Sequence, residues 1–406
     1  MKKVLPIVIC VWLLALVRPA IAQEAPPAPP APPREMACDL EPLLDVPGIW
    51  ALTPDKLEQL YPKPPNLSAN PYFTWLTADH SRAQFMRDHF TNLRVNFTIL
   101  DKAVPVDEAI VDFASGKLNG ITFSVFNRGD SGSLPPEEVQ RRAAKCNEAL
   151  RARLGVVPAP RRPDPMQGLL SQGWTWISPV GMACLEYNPE LERGKPEYLR
   201  LRLAPRDARG AIATAMREQR AGASLSELAA AVKRDPNGDV WIDGVPMVDQ
   251  GPKGYCVVAS AQRLFEYYGI SCDEHQLAQM AGTQAQGGTS STQMEKALQS
   301  LDTNFRMHFK AVKRNGPAEF HKQIQDYVNK GIPLLWGLEV GKYPEVPPLK
   351  AHGVGGHMRL IIGYNLKEGD VIFTDSWGAG HEKERMKVGD AFNATHGLYV
   401  MQPTTY

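Results

Sequence analysis

The chain has 406 residues, with 45 Lys and Arg against 44 Asp and Glu and a formal net charge of +1. That length exceeds one average domain and suffices for two, each able to bury its own core. The near-balance of charge excludes a global field that would draw nucleic acid or an anionic membrane to the surface, so neither is expected as a partner.

The chain opens Met1-Lys2-Lys3, runs apolar from Val4 to Val17, and reaches a small-residue site at Ala20-Ile21-Ala22. This is the layout of a secretory signal peptide over residues 1–22. The apolar run is short of the roughly 20 residues that cross a bilayer. Cys10 lies inside the run, far from the cleavage site, which argues against a lipid-modified cysteine. No later stretch is apolar enough to span, so the mature protein is expected to be secreted or periplasmic, with no stable membrane insertion. Export places it where disulfides persist. Beyond the leader stand five cysteines, Cys38, Cys146, Cys184, Cys256 and Cys272. An odd count leaves at least one thiol free. If that one is Cys256, the other four either form up to two bridges, in pairings the sequence does not rank, or stay thiols.

Residues 23–36 are dense in Pro and Ala, which favours extended polyproline II and cannot pack a core, so they read as a spacer. From 37 to 207 both hydrophobic periods occur, and the segment reads as an α+β domain without a motif that carries chemistry. Phe85 to Val95 and Pro136 to Leu154 predict helices, the second opening on prolines and two glutamates that suit the positive end of a helix dipole. Ile121 to Phe126, Trp174 to Tyr187 and Tyr198 to Leu203 predict strands, the last with the strict alternation of a half-buried one. Residues 208–244 read as a helical connector. Ala208 to Val232 looks helical, with Ser224 and Glu227 set as a capping box, and Asp235-Pro236-Asn237-Gly238-Asp239 breaks it with turn chemistry. No internal repeat of fixed period occurs.

The chemistry falls in residues 245–406. After Cys256 the apolar residues Val257, Val258, Ala261, Leu264, Phe265 and Tyr268 recur at helical spacing, and Gly269 supplies a stop. Cys256 therefore sits at the first turn of a buried helix, where unpaired N–H groups and the dipole favour thiolate, the nucleophilic form. Gln250 stands six residues earlier across a Gly- and Pro-containing turn. Its amide can return toward the sulfur and, with the Cys256 N–H, offer two donors to an oxyanion. Two further helices are predicted, one capped by Asp273 with Gln276 and one by Ser290 with Gln293. His357 precedes the apolar strand Met358-Arg-Leu-Ile-Ile362, and Asp375 follows the apolar strand Val371-Ile-Phe-Thr374. If these strands form a hairpin, Asp375 accepts the imidazole N–H and fixes its tautomer. Trp377 would then cover that hydrogen bond from water.

Gln-Gly-x-x-Gly-x-Cys at 250–256, Gly-His at 356–357 before an apolar strand, and Asp-Ser-Trp-Gly at 375–378 together resemble the papain-like cysteine peptidases over about residues 245–406. The resemblance implies a catalytic domain with a helical lobe and an antiparallel β-sheet, preceded here by the separate α+β domain. It also implies roles: Cys256 as nucleophile, His357 as base and acid, Asp375 as orienter and Gln250 as oxyanion donor. Gly254, Tyr255, Gly287, Gly288 and Trp377 are implied along the substrate. Papain has Trp where this chain has Val257, and Asn where it has Asp375. The acidic third member and the lead-in Val245-Pro-Met-Val-Asp-Gln250 are more similar to the double-glycine, bacteriocin-processing branch.

Each residue alone has a plainer reading: a small buried cysteine, a satisfied core histidine, a turn aspartate. Their joint order beside the right elements favours catalysis. His352 is the rival base, without an adjoining strand. The other histidines, His275 among them, show no metal-type spacing, so no metal or cofactor is expected. The expected function is an exported peptidase that cuts peptide or protein substrates through an acyl-enzyme on Cys256. The alternatives are a cell-wall amidase or isopeptidase with the same groups, or an inactive binding or inhibitory module. The position of the 37–207 domain, ahead of the turn at 235–239, also suggests a pro-region that gates the cleft.

Overall fold

The computed structural model describes residues 34–403, with breaks at 88–92, 164–170, 189–190, 192–193, 217–222, 252, 271, 273, 284–292, 294, 297, 300–306 and 350–354. The expected leader, most of the proline-rich spacer, His352, Gly287, Gly288, and the caps Asp273 and Ser290 lie outside the described residues. The first strand, Arg34–Asp39, already includes the last spacer residues and pairs in parallel with Leu93–Ile99.

The fold is α+β, built on two large antiparallel sheets, each with its own apolar core. One core gathers buried side chains from Cys38 to Leu203, the other from Leu228 to Met401. In the first sheet the strands run in the order Thr74–Trp75, Arg82–Met86, Glu108–Ala114, Lys117–Asn127, Tyr198–Ala204, Gly181–Tyr187, Gln172–Ser178 and Ala159–Arg161. The 19-residue helix Pro136–Leu154 packs on this sheet as its sequence requires. Proline opens it, Glu137 and Glu138 occupy the first turn, and Gly155 ends it in the left-handed conformation.

Three expectations for this region are corrected. Phe85 to Val95 is not a helix: Phe85 lies in the strand Arg82–Met86, buried at its three central residues, and Val95 in Leu93–Ile99, buried at alternating positions. Trp174 to Tyr187 is two strands, joined by a reversal at residues 179–180. Tyr198–Ala204 is buried throughout instead of half-buried, because Arg200 and Arg202 turn onto the buried Glu186, which Arg161 also approaches. Burial alone would raise the Glu186 carboxyl, and these three arginines hold it well below the usual range.

The Ala208 to Val232 stretch holds two short helices, Ala211–Met216 and Leu225–Ala230, and the capping box of Ser224 with Glu227 forms at the second. Val232 instead starts a strand. Val232–Arg234 and Asp239–Ile242 form a hairpin, and the 235–239 turn is closed within it by Asp235 N–H on the Asp239 carbonyl. That hairpin edges the second sheet, ordered Val232–Arg234, Asp239–Ile242, Gly355–Asn365, Leu334–Val340, Thr395–Pro403 and Met307–Ala311. Asp370–Thr374 pairs with Gly355–Asn365 and, on its other side, with Glu384–Lys387. The helices Cys256–Tyr267 and Pro317–Val328 both contact the Gly355–Asn365 strand.

The five cysteines from Cys38 onward are all free thiols, so neither bridge forms. Cys38, Cys146, Cys184 and Cys272 are buried, whereas Cys256 is half-buried. Burial pushes the Cys38 and Cys146 thiols up to about 12 and raises Cys184 as well. Among the described residues no helix is long and apolar enough to cross a membrane.

Candidate active site

Cys256 is the first residue of the helix Cys256–Tyr267, with Tyr255 at the N-cap and no side-chain cap. The first-turn N–H groups are thus left without a capping side chain beside the sulfur. The helix is buried on nearly all sides, with Ser260, Gln262 and Arg263 buried beside its apolar residues; Gly269, at φ +74°, ends it. Ser260 Oγ, one turn in, donates to the Met358 carbonyl at 3.2 Å, pinning the helix to the strand that carries His357.

His357 lies on the strand Gly355–Asn365, opposite Leu338, and the strand ending at Thr374 pairs with it antiparallel, so Asp375 emerges beside the imidazole. His357 Nε2 is 2.7 Å from Asp375 Oδ1. With Nε2 engaged, Nδ1 is the ring atom left for the Cys256 thiol, which lies close enough to the ring to help hold its proton. Trp377 stacks on His357 with ring centroids 4.5 Å apart and planes 22° apart, shielding the pair from water.

Asp375 is fully buried and holds more than the histidine. Oδ1 also accepts the Ser376 N–H at 2.8 Å, and Oδ2 accepts Arg359 Nε at 2.6 Å. Arg359, itself fully buried, reaches Glu345 Oε2 at 2.5 Å and lies over the Phe373 and Trp377 rings at 4.5 and 5.3 Å. This accounts for an aspartate where papain has asparagine. A carboxylate accepts from histidine on one oxygen and arginine on the other, whereas an amide would turn its NH₂ toward one of these donors.

Burial alone would depress the imidazole, but the charge and hydrogen bond of Asp375, with Cys256 beside it, hold His357 up to about 9. Burial alone would raise Asp375, but His357 and Arg359 hold it down to about 2. His357 is therefore an imidazolium at neutral pH. Because its folded value lies above its unfolded 6.5, the stability it contributes is fully present below about pH 6.5 and lost as pH rises through about 9. Asp375→Asn removes the charge that holds the value up and leaves the burial that lowers it. The alkaline limb of activity is then expected to move acidward by at least about one pH unit, measured as the pH profile of kcat/KM.

Gln250 is buried beside the same turn. Its N–H donates to the Ser376 carbonyl at 3.0 Å, and Ser376 Oγ donates to its Oε1 at 2.7 Å. The amide orientation is thereby set, and Nε2 donates one hydrogen to the Lys253 carbonyl at 3.2 Å, keeping the second for a ligand. Gly254 is half-buried in this loop. Tyr255 was implied along the substrate, but its side chain is buried, near the Lys253 ammonium and the His275 ring.

The fold thus brings Cys256, His357 and Asp375 together, with Trp377 over the imidazole and Gln250 against Ser376. Sequence reasoning missed Arg359, Glu345 and Ser376. A lone arginine inside an apolar strand was the available signal for the first; nothing local marked the second. One further expectation is corrected. His275 does cluster with carboxylates: its ligating atom and those of Glu108 and Glu274 all lie within 4.8 Å of one another. The sequence separation of Glu108 hid this. The positive charge among them is Lys253, whose Nζ is 3.1 Å from Glu274 Oε1.

Comparison with known proteins bears on residues 242–400, which match the model of the Peptidase_C39 like family. A comparison with curated proteins gives no match. Among solved structures, the peptidase domain of Streptococcus ComA, a bifunctional ABC transporter involved in a quorum-sensing pathway, is 16% identical. The match covers 40% of this chain and 100% of that one at a TM-score of 0.29. A double-glycine-motif protease from an AMS/PCAT transporter, solved with its leader peptide, is 14% identical over 40% of this chain and 93% of its own, at 0.27. Xylellain, a cysteine protease from Xylella fastidiosa, is 13% identical over 44% and 88%, at 0.28. At these TM-scores the three likenesses add no weight. Over residues 242–400 the chain resembles the Peptidase_C39 like family, and with it the double-glycine branch of the papain-like cysteine peptidases.

Proposed function

We propose that residues 245–406 form a thiol peptidase domain that hydrolyses peptide bonds through an acyl-enzyme on Cys256, in a protein exported by a cleaved leader at residues 1–22 to the periplasm or beyond. The observation that carries this reading is the His357–Asp375 pair at 2.7 Å, buried under Trp377, with Cys256 at the start of a helix pinned to the His357 strand. In this reading the Cys256 sulfur attacks the carbonyl carbon. The Cys256 N–H and the remaining Gln250 hydrogen receive the oxyanion. His357 gives its proton to the leaving amine, then takes one from the water that cleaves the thioester and returns the thiol. Gly254, Trp377 and the glycines at 287 and 288 are proposed along the extended substrate. Residues 37–207 are proposed as a separate α+β domain, joined through 208–244.

The test is digestion of an unbiased peptide library by the full mature chain, read by mass spectrometry beside a Cys256→Ala control. New termini within α-peptide sequences, absent from the control, are expected. Cleavage confined to side-chain amide or cell-wall cross-link bonds would replace peptidase by amidase, and no Cys256-dependent product of either kind would overturn the catalytic reading.

A further inference from the structure

The loop from Asp249 to Tyr255, which carries Gln250 and leads into Cys256, is held from outside its own sheet. Gln84, on the first sheet, donates through Nε2 to the Asp249 carbonyl at 3.2 Å and also to Glu108. Arg82, two residues earlier, donates from Nη1 to the Met247 carbonyl at 3.1 Å and to Glu266, on the nucleophile helix, at 2.9 Å; its Nε pairs with Asp112 at 2.8 Å. Met86 Sδ lies where a Cβ on Gly251, at φ +65°, would come within 2.9 Å. A Cβ on Gly129 would overlap the Tyr255 hydroxyl. Backbone of the N-terminal region thus lies directly against the nucleophile loop.

The strongest of these contacts is ionic. Lys253 is buried, and its ammonium lies 3.0 Å from Asp130 Oδ2, in the N-terminal region, and 3.1 Å from Glu274 Oε1. Asp130 is itself fixed: its N–H donates to Asn127 Oδ1 and its Oδ2 accepts from Asn127 Nδ2, both at 2.8 Å. The same Lys253 offers its carbonyl to Gln250 Nε2. One chain of contacts therefore runs from Asn127 through Asp130 and Lys253 to the amide of Gln250. A buried ammonium held between two carboxylates does not drift, because leaving either one strands a charge in low dielectric.

We propose that the N-terminal region is a permanent clasp on the nucleophile loop, and that Asp130 and Lys253 are positioning residues for the oxyanion donors Gln250 Nε2 and Cys256 N–H. This rests on the peptidase reading above. It opposes the expectation of a removable pro-region. The contacts through Asp249, Gly251, Lys253 and Tyr255 grip the loop from the side, while Arg82 reaches Met247 just ahead of it and Glu266 on the nucleophile helix. Through Asp130 and Lys253 the clasp acts on the Gln250 amide, whereas the His357–Asp375 pair beside Cys256 is carried by the second sheet.

That separation supplies the test. In the full-length protein, Asp130→Asn keeps the shape and removes the charge that holds Lys253; Gly129→Ala pushes the loop through Tyr255 without altering any charge. Both are measured for kcat and KM on one peptide, for the rate of Cys256 alkylation by iodoacetamide, and for thermal unfolding. Alkylation needs the thiolate and imidazolium but no oxyanion donor. The expected result is a kcat lower by about 10- to 100-fold, as for a displaced or lost oxyanion donor, with KM and the alkylation rate within about twofold. Wild-type kcat in both folded variants would overturn the clasp, as would parallel loss of kcat and alkylation rate. If one variant fails to fold, the other decides. Absence of turnover by the wild-type chain would count against the peptidase reading instead, and is read in the same assay.

Discussion

Replacing Cys256 by alanine is expected to lower peptide turnover by roughly 10⁴-fold or more, since the sulfur is the atom that bonds to the acyl group and nothing else at the site can take its place. The residual rate is what oxyanion donors and binding give without a nucleophile. Stability should fall only modestly, because Cys256 is half-buried at a helix start and packs at the edge of the core. Circular dichroism and urea unfolding of the variant check this alongside the rate. Cys146→Ala is the contrasting control. That thiol lies on the buried face of the helix Pro136–Leu154, so its loss should cost stability and leave turnover intact. A Cys256→Ala protein that turned over normally would remove the nucleophile from the scheme altogether.

The second large effect is expected at Arg359. Its replacement by methionine fills similar space without charge and leaves two buried carboxylates, Asp375 and Glu345, facing each other across the gap. Breaking a buried ionic network from one side costs about 3–5 kcal/mol, which urea unfolding reads directly. Activity should fall as well, because Asp375 would no longer be held at Oδ2 and its carboxyl would rise from about 2 once the guanidinium is gone. Adding Glu345→Gln to the variant removes one of the stranded charges and should recover part of the stability without restoring the rate. Recovery of both together would make Arg359 a packing residue with no hold on Asp375; loss of neither in the single variant would show that the network carries no energy.

The reacting groups were legible in the sequence because each stands at the end of an element with a local signature. Cys256 begins a helix whose apolar spacing and terminal Gly269 are plain, and Asp375 ends a short apolar strand. The two-strand hairpin that unites His357 with Asp375 needed only the two apolar runs and their separation. What could not be read were contacts whose partners are distant. Arg359 stood inside one of those runs, but Glu345 carries no local mark. Lys253 and Asp130 are 123 residues apart. His275 meets Glu108 only because the first sheet packs against the helices around Cys256. Phe85 to Val95 was misread for the same reason. Arg82–Met86 pairs with Glu108–Ala114, and Leu93–Ile99 with Arg34–Asp39, so the pairing that makes these residues strands lies outside any local window. The alternation of Tyr198 to Leu203 was read correctly as a strand, but its arginines suggested solvent, and the buried Glu186 that receives them could be found only in three dimensions.

The most direct measurement of the central assignment is thiol alkylation of the folded mature protein, mapped residue by residue by peptide mass spectrometry across pH 5 to 10. Cys256 is expected to react far faster than Cys38, Cys146, Cys184 and Cys272, which are buried. Its rate should fall sharply in His357→Ala, and the rate advantage should fade as pH rises past about 9, where the imidazolium is lost. A Cys256 that reacts no faster than an ordinary exposed thiol, or equally fast with and without His357, would contradict the thiolate–imidazolium pair on which the peptidase reading depends.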